Sequence, residues 1–308
     1  MARPLMTSDR SEVLCRQYGL TLPDAWLNIR EWGSTEPDVT VVLTHGWTLS
    51  GRLWEDVATS IARAEPSVRV IAYDHRGHGN SASVPTASIE QLADDLAVVV
   101  TQAVPAGPIV FGGHSLGGMT LMALAQRHPG IVAERVAAVA FVATSAGHLL
   151  GTIRRVPGTE PAMRAALVPA ARVKLPSKPL LLVRQGGRAA YGKQPRRHDM
   201  NRTTLQAAQS DPRAVAALGR SILQHNRYDA LPAFRHAHAV VMAGTRDPLT
   251  SPVHARRIAE KLPASQLVIF RGAGHFLPYE RREAVTAHLL NLVAKARRSG
   301  QSIAGIAG

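Results

Sequence analysis

Two hydrophobic rhythms alternate along this chain. In the stretches VTVVLTHG (39–46) and VRVIAYD (68–74) nearly every position is apolar or β-branched. That is the pattern of short strands buried on both faces. PIVFGG (108–113), VAAVAFVAT (136–144), HAVVMAG (238–244) and QLVIFRG (266–272) repeat it. Between these runs, apolar residues recur at helical spacing over about 52–64, 89–104, 115–128, 253–262 and 280–298. Strand alternating with helix predicts an α/β fold with a mostly parallel, doubly wound sheet. Segments 11–18 and 25–33 are expected to form a leading antiparallel pair at one edge of it.

The alternation stops near residue 146 and resumes at 238. The stretch between is basic, rich in proline and glycine, and helical in pieces without strand periodicity. PAMRAALVPAARVKL, TTLQAAQS and AVAALGRSILQH are the clearest of these. A helical insertion between two strands would form a lid. The expected organisation is therefore a core of 1–146 and 237–298, a helical cap at 147–236, and a small, flexible tail at 299–308.

Composition narrows the setting. The chain has 308 residues, 45% of them hydrophobic, enough for one large core with an inserted lobe. No apolar run is long enough to span a bilayer. The opening MARPLMTSDRSEVLCRQ lacks the apolar centre and cleavage site of a signal peptide, so the expected location is cytoplasmic. Cys15 is the single cysteine, which leaves no intrachain disulfide and no cysteine-based metal cluster. It is expected in a strand as a small apolar filler. The net charge is +14, and residues 147–236 hold 16 Lys and Arg against 4 Asp and Glu. A basic middle segment fits an anionic substrate, an anionic membrane surface touched peripherally, or nucleic acid. No nucleic-acid motif accompanies it. The commoner reading of such a charge run is a solvated face.

The chemistry concentrates in FGGHSLGGM (111–119). Gly113-His114-Ser115-Leu116-Gly117 follows a predicted strand and opens a predicted helix, the context in which G-x-S-x-G marks a nucleophile turn. Flanking glycines remove the Cβ atoms that would collide in so tight a turn. The serine then stands at the C-terminal end of a strand, where open α/β sheets place their sites.

A serine hydroxyl needs a base, and the base needs an orienting carboxylate. Of 13 histidines, His275 in FRGAGHFLPYE follows a predicted strand on a glycine-rich loop late in the chain. Asp247 in MAGTRDPLTSP follows the preceding strand. The order Ser115, Asp247, His275 suits this architecture. Each also has a plainer reading, Asp247 as a turn or cap residue and His275 as a helix-start polar residue. Asp229 reads as a helix N-cap. His45, His78 and His114 lie near the serine but lack the late-loop position. Two backbone N–H groups are needed for an oxyanion. Leu116 supplies one, and Trp47, in the loop after VTVVLTHG, the other. Trp47, His114 and Phe276 are candidate pocket residues.

LTHGW, AYDHRGHGNS, FGGHSLGGM, MAGTRDPLTS and GAGHFLPYE stand in the order and spacing of one family. From about residue 38 to 297 the chain resembles the α/β-hydrolase family. The resemblance implies an eight-stranded sheet, a cap after the sixth strand, Ser115 as nucleophile, His275 as base and Asp247 as acid. It implies that Asp74 and Arg76 brace the loop beside the oxyanion hole, and it implies no metal and no organic cofactor. Epoxide-hydrolase-like and dehalogenase-like members carry aspartate where this chain has Ser115. Serine suits acyl transfer from an ester or thioester, as in esterases, monoacylglycerol-lipase-like enzymes and the cofactor-free haloperoxidase-like group. Carbon–carbon hydrolysis on the same residues stays open. So does a non-catalytic basic binding protein on this scaffold. The expected partner is a small-molecule ester or lipid with an apolar acyl part. The oligomeric state is not legible.

Overall fold

The computed structural model describes residues 13–149 and 187–304. Its centre is one eight-stranded sheet. The strands are β1 (Cys15–Thr21), β2 (Trp26–Gly33), β3 (Val39–Thr44), β4 (Val68–Tyr73), β5 (Ile109–His114), β6 (Val136–Val142), β7 (His238–Gly244) and β8 (Gln266–Phe270). They lie in the order β1-β2-β4-β3-β5-β6-β7-β8. β2 runs antiparallel to both β1 and β4, and the pairs from β4 through β8 are parallel. All six predicted central strands form, and the leading pair sits at the edge as expected. β1 begins later than the apolar reading of 11–18 and is largely exposed. Cys15 lies in that strand but faces solvent, so it fills no core space. An edge strand has only one neighbour, and here its side chains are left outside.

Side chains alternate across the sheet with a period of two. Val42, Ile71, Phe111 and Phe141 point to one face, where α2 (Ile89–Gln102), α3 (Leu116–Arg127), α4 (Pro129–Arg135) and α7 (Pro252–Lys261) cover them. Val41, Leu43, Val70 and Val110 point to the other, under α1 (Glu55–Ala64), the short α8 (Leu277–Glu280) and α9 (Arg282–Ala304). Both faces are therefore dry, which is why the parallel strands read as continuous apolar runs. α4 has no apolar periodicity of its own, and Pro129 at its first turn is its clearest local signal. α9 continues to Ala304, past the expected end at 298. Gly300 lowers helix propensity but does not break the hydrogen-bond ladder.

Between β6 and β7 the chain forms α5 (Arg197–Gln209) and α6 (Pro212–Gln224), then a 3-10 turn at Tyr228–Phe234. These contain the expected pieces TTLQAAQS and AVAALGRSILQH. The piece PAMRAALVPAARVKL lies outside the described residues. Asp211 caps α6 by accepting the Arg213 N–H. Asp229, expected as a cap, lies exposed within the first turn of the 3-10 segment, whose N-cap is Arg227. A closed neck joins the ends of this region. Gly147 bridges Asn226, the Arg227 N–H donates to Ala146 O at 2.6 Å, and His225 Nε2 donates to Ser145 O at 3.0 Å.

The strand order places the site. From β3 the chain crosses to β4 on one side, and later to β5 on the other. Such a reversal opens a crevice at the strands' C-terminal ends. The loops after β3 and β5 flank that crevice.

Candidate active site

Ser115 joins β5 to α3 with φ 52° and ψ −117°, a left-handed conformation that side chains rarely adopt. Such strain costs about 1–3 kcal/mol and persists only where the surroundings enforce it. Here the Ser115 N–H donates to Val142 O at 3.0 Å, and Thr144 Oγ1 donates to Ser115 O at 2.6 Å. The neighbouring glycines are sterically required. A Cβ on Gly113 would lie 2.7 Å from the Gly118 backbone, and one on Gly117 would fall on the Thr44 carbonyl. The serine is left half-exposed, and its hydroxyl makes no hydrogen bond among the described residues.

Asp247 follows β7, and its carboxylate is saturated. Oδ1 accepts the N–H groups of Leu249 (2.8 Å) and Thr250 (2.9 Å). Oδ2 accepts His275 Nδ1–H (2.8 Å) and the Thr250 hydroxyl (2.7 Å). Burial alone would raise this carboxyl's pKa. The facing His275 ring and the Thr250 donors overcome it and hold the pKa at about 2. The carboxylate fixes the proton on Nδ1 and leaves Nε2 of His275 as the free, basic nitrogen.

The loop bearing His275 is held from behind. The His275 N–H donates to Ala190 O at 2.7 Å, and the Lys193 N–H to Gly272 O at 3.1 Å. Glu280 gathers three main-chain donors, Gly192 (2.7 Å), Gly274 (2.9 Å) and Phe276 (3.2 Å). Tyr191 packs its ring 4.5 Å from that of Phe276. No hydrogen bond joins Ser115 Oγ to His275 in this structure. The two loops meet through His114, whose Nε2 donates to His275 O at 2.9 Å. His114 has no exposed surface. It braces the histidine loop and does not line an open pocket, contrary to its placement among the pocket candidates. Phe276 and Trp47 remain partly exposed.

The loop after β3 touches the serine directly, since a Cβ on Gly46 would lie 3.2 Å from Ser115 Cβ. The main-chain N–H groups of Trp47 and Leu116 donate to no group among the described residues. Thr48, at φ 62°, turns this loop, and its N–H donates to His78 Nε2 at 3.3 Å. Asp74 braces the loop's far end by accepting the Gly51 N–H at 2.6 Å. Arg76 points elsewhere, to Asp95 of α2 and Asp24 of the β1–β2 turn. It anchors the loop after β4, and among the described residues its side chain makes no hydrogen bond to the loop after β3. Behind both, His45 Nε2 accepts the His75 N–H at 2.9 Å. Burial, and then neighbouring histidines, pushes His45 well below its ordinary pKa. Burial likewise pushes His75 and His114 down to about 3. All three rings are neutral spacers.

The insertion also reaches this loop. Trp47 Nε1 donates to Val215 O of α6 at 2.8 Å, and Gln206 Oε1 of α5 accepts both the N–H and the hydroxyl of Ser50 at 3.0 Å. Gln206, Ala190, Glu280 and Thr250 carry no sequence signal of their own, apart from the three-residue spacing of Thr250 from Asp247. Among the described residues, no group of three or more His, Cys, Asp or Glu side chains is arranged to hold a metal ion.

A family model described as the alpha/beta hydrolase fold matches residues 39–281. A stretch of 100 residues is 35% identical to a non-heme chloroperoxidase of Kitasatospora aureofaciens, covering 32% of this chain and 34% of that protein. A stretch of 105 residues is 30% identical to a pimeloyl-[acyl-carrier protein] methyl ester esterase of Vibrio vulnificus, covering 34% of this chain and 38% of the relative. The matches thus span little more than a third of these relatives' length. A solved thermophilic esterase of Thermogutta terrifontis shares the fold with a TM-score of 0.74 at 24% identity, over 92% of this chain and 99% of its own.

Proposed function

The chain belongs to the alpha/beta hydrolase fold family, and on that premise we propose that it is a serine hydrolase of carboxylic esters. The observation that carries the reading is the Asp247–His275 pair. It presents a bare Nε2 at the C-terminal end of the sheet, where the strained, half-exposed Ser115 also stands. In this reading Nε2 takes the Ser115 proton as Oγ attacks the ester carbonyl. The N–H groups of Trp47 and Leu116 receive the oxyanion. The imidazolium, stabilised by Asp247, returns the proton to the leaving alcohol. Water then repeats the sequence on the acyl-enzyme, with His275 again as base. In this reading Ser115 Oγ and His275 Nε2 come within hydrogen-bond reach during the reaction.

Substrate choice falls to the region 147–236, read here as a cap over an apolar acyl site. A monoacylglycerol or small lipid ester fits its mixed apolar and basic sequence, and its positive charge would favour peripheral contact with anionic membrane. Among the described residues no helix is long and apolar enough to cross a membrane. The relatives named as methyl ester esterase and esterase support ester chemistry. The relative named as a chloroperoxidase favours a second reading, in which peroxide replaces water as the acyl acceptor.

A fluorophosphonate probe should label the protein at Ser115, and Ser115→Ala should abolish labelling. On a p-nitrophenyl ester panel from acetyl to palmitoyl, Ser115→Ala or His275→Ala should cost roughly 10⁴–10⁶ in kcat. Ester hydrolysis surviving Ser115→Ala would sink the assignment.

A further inference from the structure

Thr250 belongs to the same hydrogen-bonded unit as Asp247 and His275. Its side chain is 2% exposed and makes two contacts there. Oγ1 lies 2.7 Å from Asp247 Oδ2 and 3.3 Å from His275 Nδ1. A hydroxyl has one proton to give. The nearer and charged acceptor is the carboxylate, so the proton goes to Asp247 Oδ2. The hydroxyl oxygen's lone pairs then face the Nδ1–H of His275. The same residue's main-chain N–H holds the other carboxylate oxygen. Thr250 therefore grips both oxygens of Asp247 and touches the ring that Asp247 orients.

We infer that Thr250 is a positioning residue, whose hydroxyl locks the Asp247 carboxylate in plane with His275 Nδ1 and so keeps Nε2 aimed at Ser115. The inference rests on the serine-hydrolase reading. Without the hydroxyl, Asp247 Oδ2 keeps only the histidine as donor, and the two N–H groups on Oδ1 are left to resist a twist of the carboxylate out of the ring plane. The ring then loses its fixed direction, while the packing of the loop stays as it was. Valine is the apt probe, since it matches threonine in shape and lacks the hydroxyl. Serine keeps the hydroxyl and drops the methyl.

The test measures the second-order rate of fluorophosphonate labelling at Ser115, with melting temperature alongside. Thr250→Val should label about ten-fold more slowly than the wild type. Thr250→Ser should recover to within about three-fold. Because Thr250 acts through Asp247, adding Thr250→Val to Asp247→Asn should slow labelling no further than about two-fold. Three results would each overturn the inference: a Thr250→Val protein that labels at the wild-type rate, a Thr250→Ser protein as slow as the valine variant, or a full additional loss in the Asp247→Asn background. The last would mark a packing role. A wild-type protein that does not label at all overturns the serine-hydrolase reading instead, and this inference with it. If Thr250→Val fails to fold, Thr250→Ala, which also lacks the hydroxyl, replaces it in the same comparisons, with Thr250→Ser as the variant that keeps the hydroxyl.

Discussion

Among the described residues, four that are not glycine hold a positive φ: Thr48, Ser115, Ala143 and His148. All four follow the C-terminal ends of β3, β5 or β6. Strain of this kind gathers where a backbone must present a group and cannot relax. Gly274 is a comparable pressure point without the strain. A Cβ there would lie 2.5 Å from the Gly192 nitrogen, against the segment that holds His275 from behind. Gly274→Ala should push these two backbones apart, at a cost of roughly 1–3 kcal/mol of overpacking. Fluorophosphonate labelling should fall at least ten-fold, and far-ultraviolet dichroism should stay native. Labelling at the wild-type rate would contradict that close fit. The residues legible in the sequence were those with a local reason. Ser115 needs its glycines, and Asp247 and His275 sit where strands end. Ala190 and Glu280 were silent because they act through main-chain contacts across long sequence separations. His114 misled because nearness in sequence to Ser115 says nothing of which side of the backbone its ring takes.

At the scale of elements, the loop after β4 is tied down by one arginine with two unequal partners. Arg76 meets Asp95 of α2 at 2.6 Å with both side chains buried, and Asp24 at 2.9 Å with the aspartate largely in solvent. Removing one member of a buried pair strands the other, at about 3–5 kcal/mol. An exposed partner is worth about 0–1 kcal/mol. Urea denaturation should therefore show Arg76→Ala strongly destabilised and Asp24→Ala nearly unchanged. Equal effects would mean that burial does not set the strength of this anchor. The strands were the best-read elements, because burial on both faces writes itself as unbroken apolar runs. The exposed β1 was read less well, since no buried face fixes its start. Gln206 and Arg202 on α5 show why docking was not legible. Gln206 bonds Ser50, and Arg202 bonds Asp56 at 2.7 Å, partners that polar pattern alone does not pair.

For the whole molecule, buried histidines set the response to acid. Burial pushes His75, His114 and His225 down to about 3, from an ordinary value of 6.5. At His225 the adjoining Arg227 adds to the effect. Below pH 6.5 the unfolded chain takes up protons that the folded protein refuses. Stability is thus complete above about pH 6.5 and is lost as pH falls toward 3. Each ring contributes up to about 1.4 kcal/mol per pH unit within that window. Against a typical total of about 5–15 kcal/mol, the melting temperature should drop steeply between pH 6 and pH 4.5. A flat profile down to pH 4.5 would show that these rings titrate freely in the folded state.

The support of His275 by Ala190 and Gly192 also bears on how such a protein can be recombined. Residues 147–236 look like a replaceable module when the sheet is taken as the frame. The carbonyl that holds the histidine's N–H lies inside that module, as does the N–H that Glu280 captures. Exchange of the whole stretch with a relative would carry away part of the scaffold of His275. On the proposed reading, a transplantable cap would have to end before Ala190, and the chain from Ala190 onward travels with the sheet and its loops.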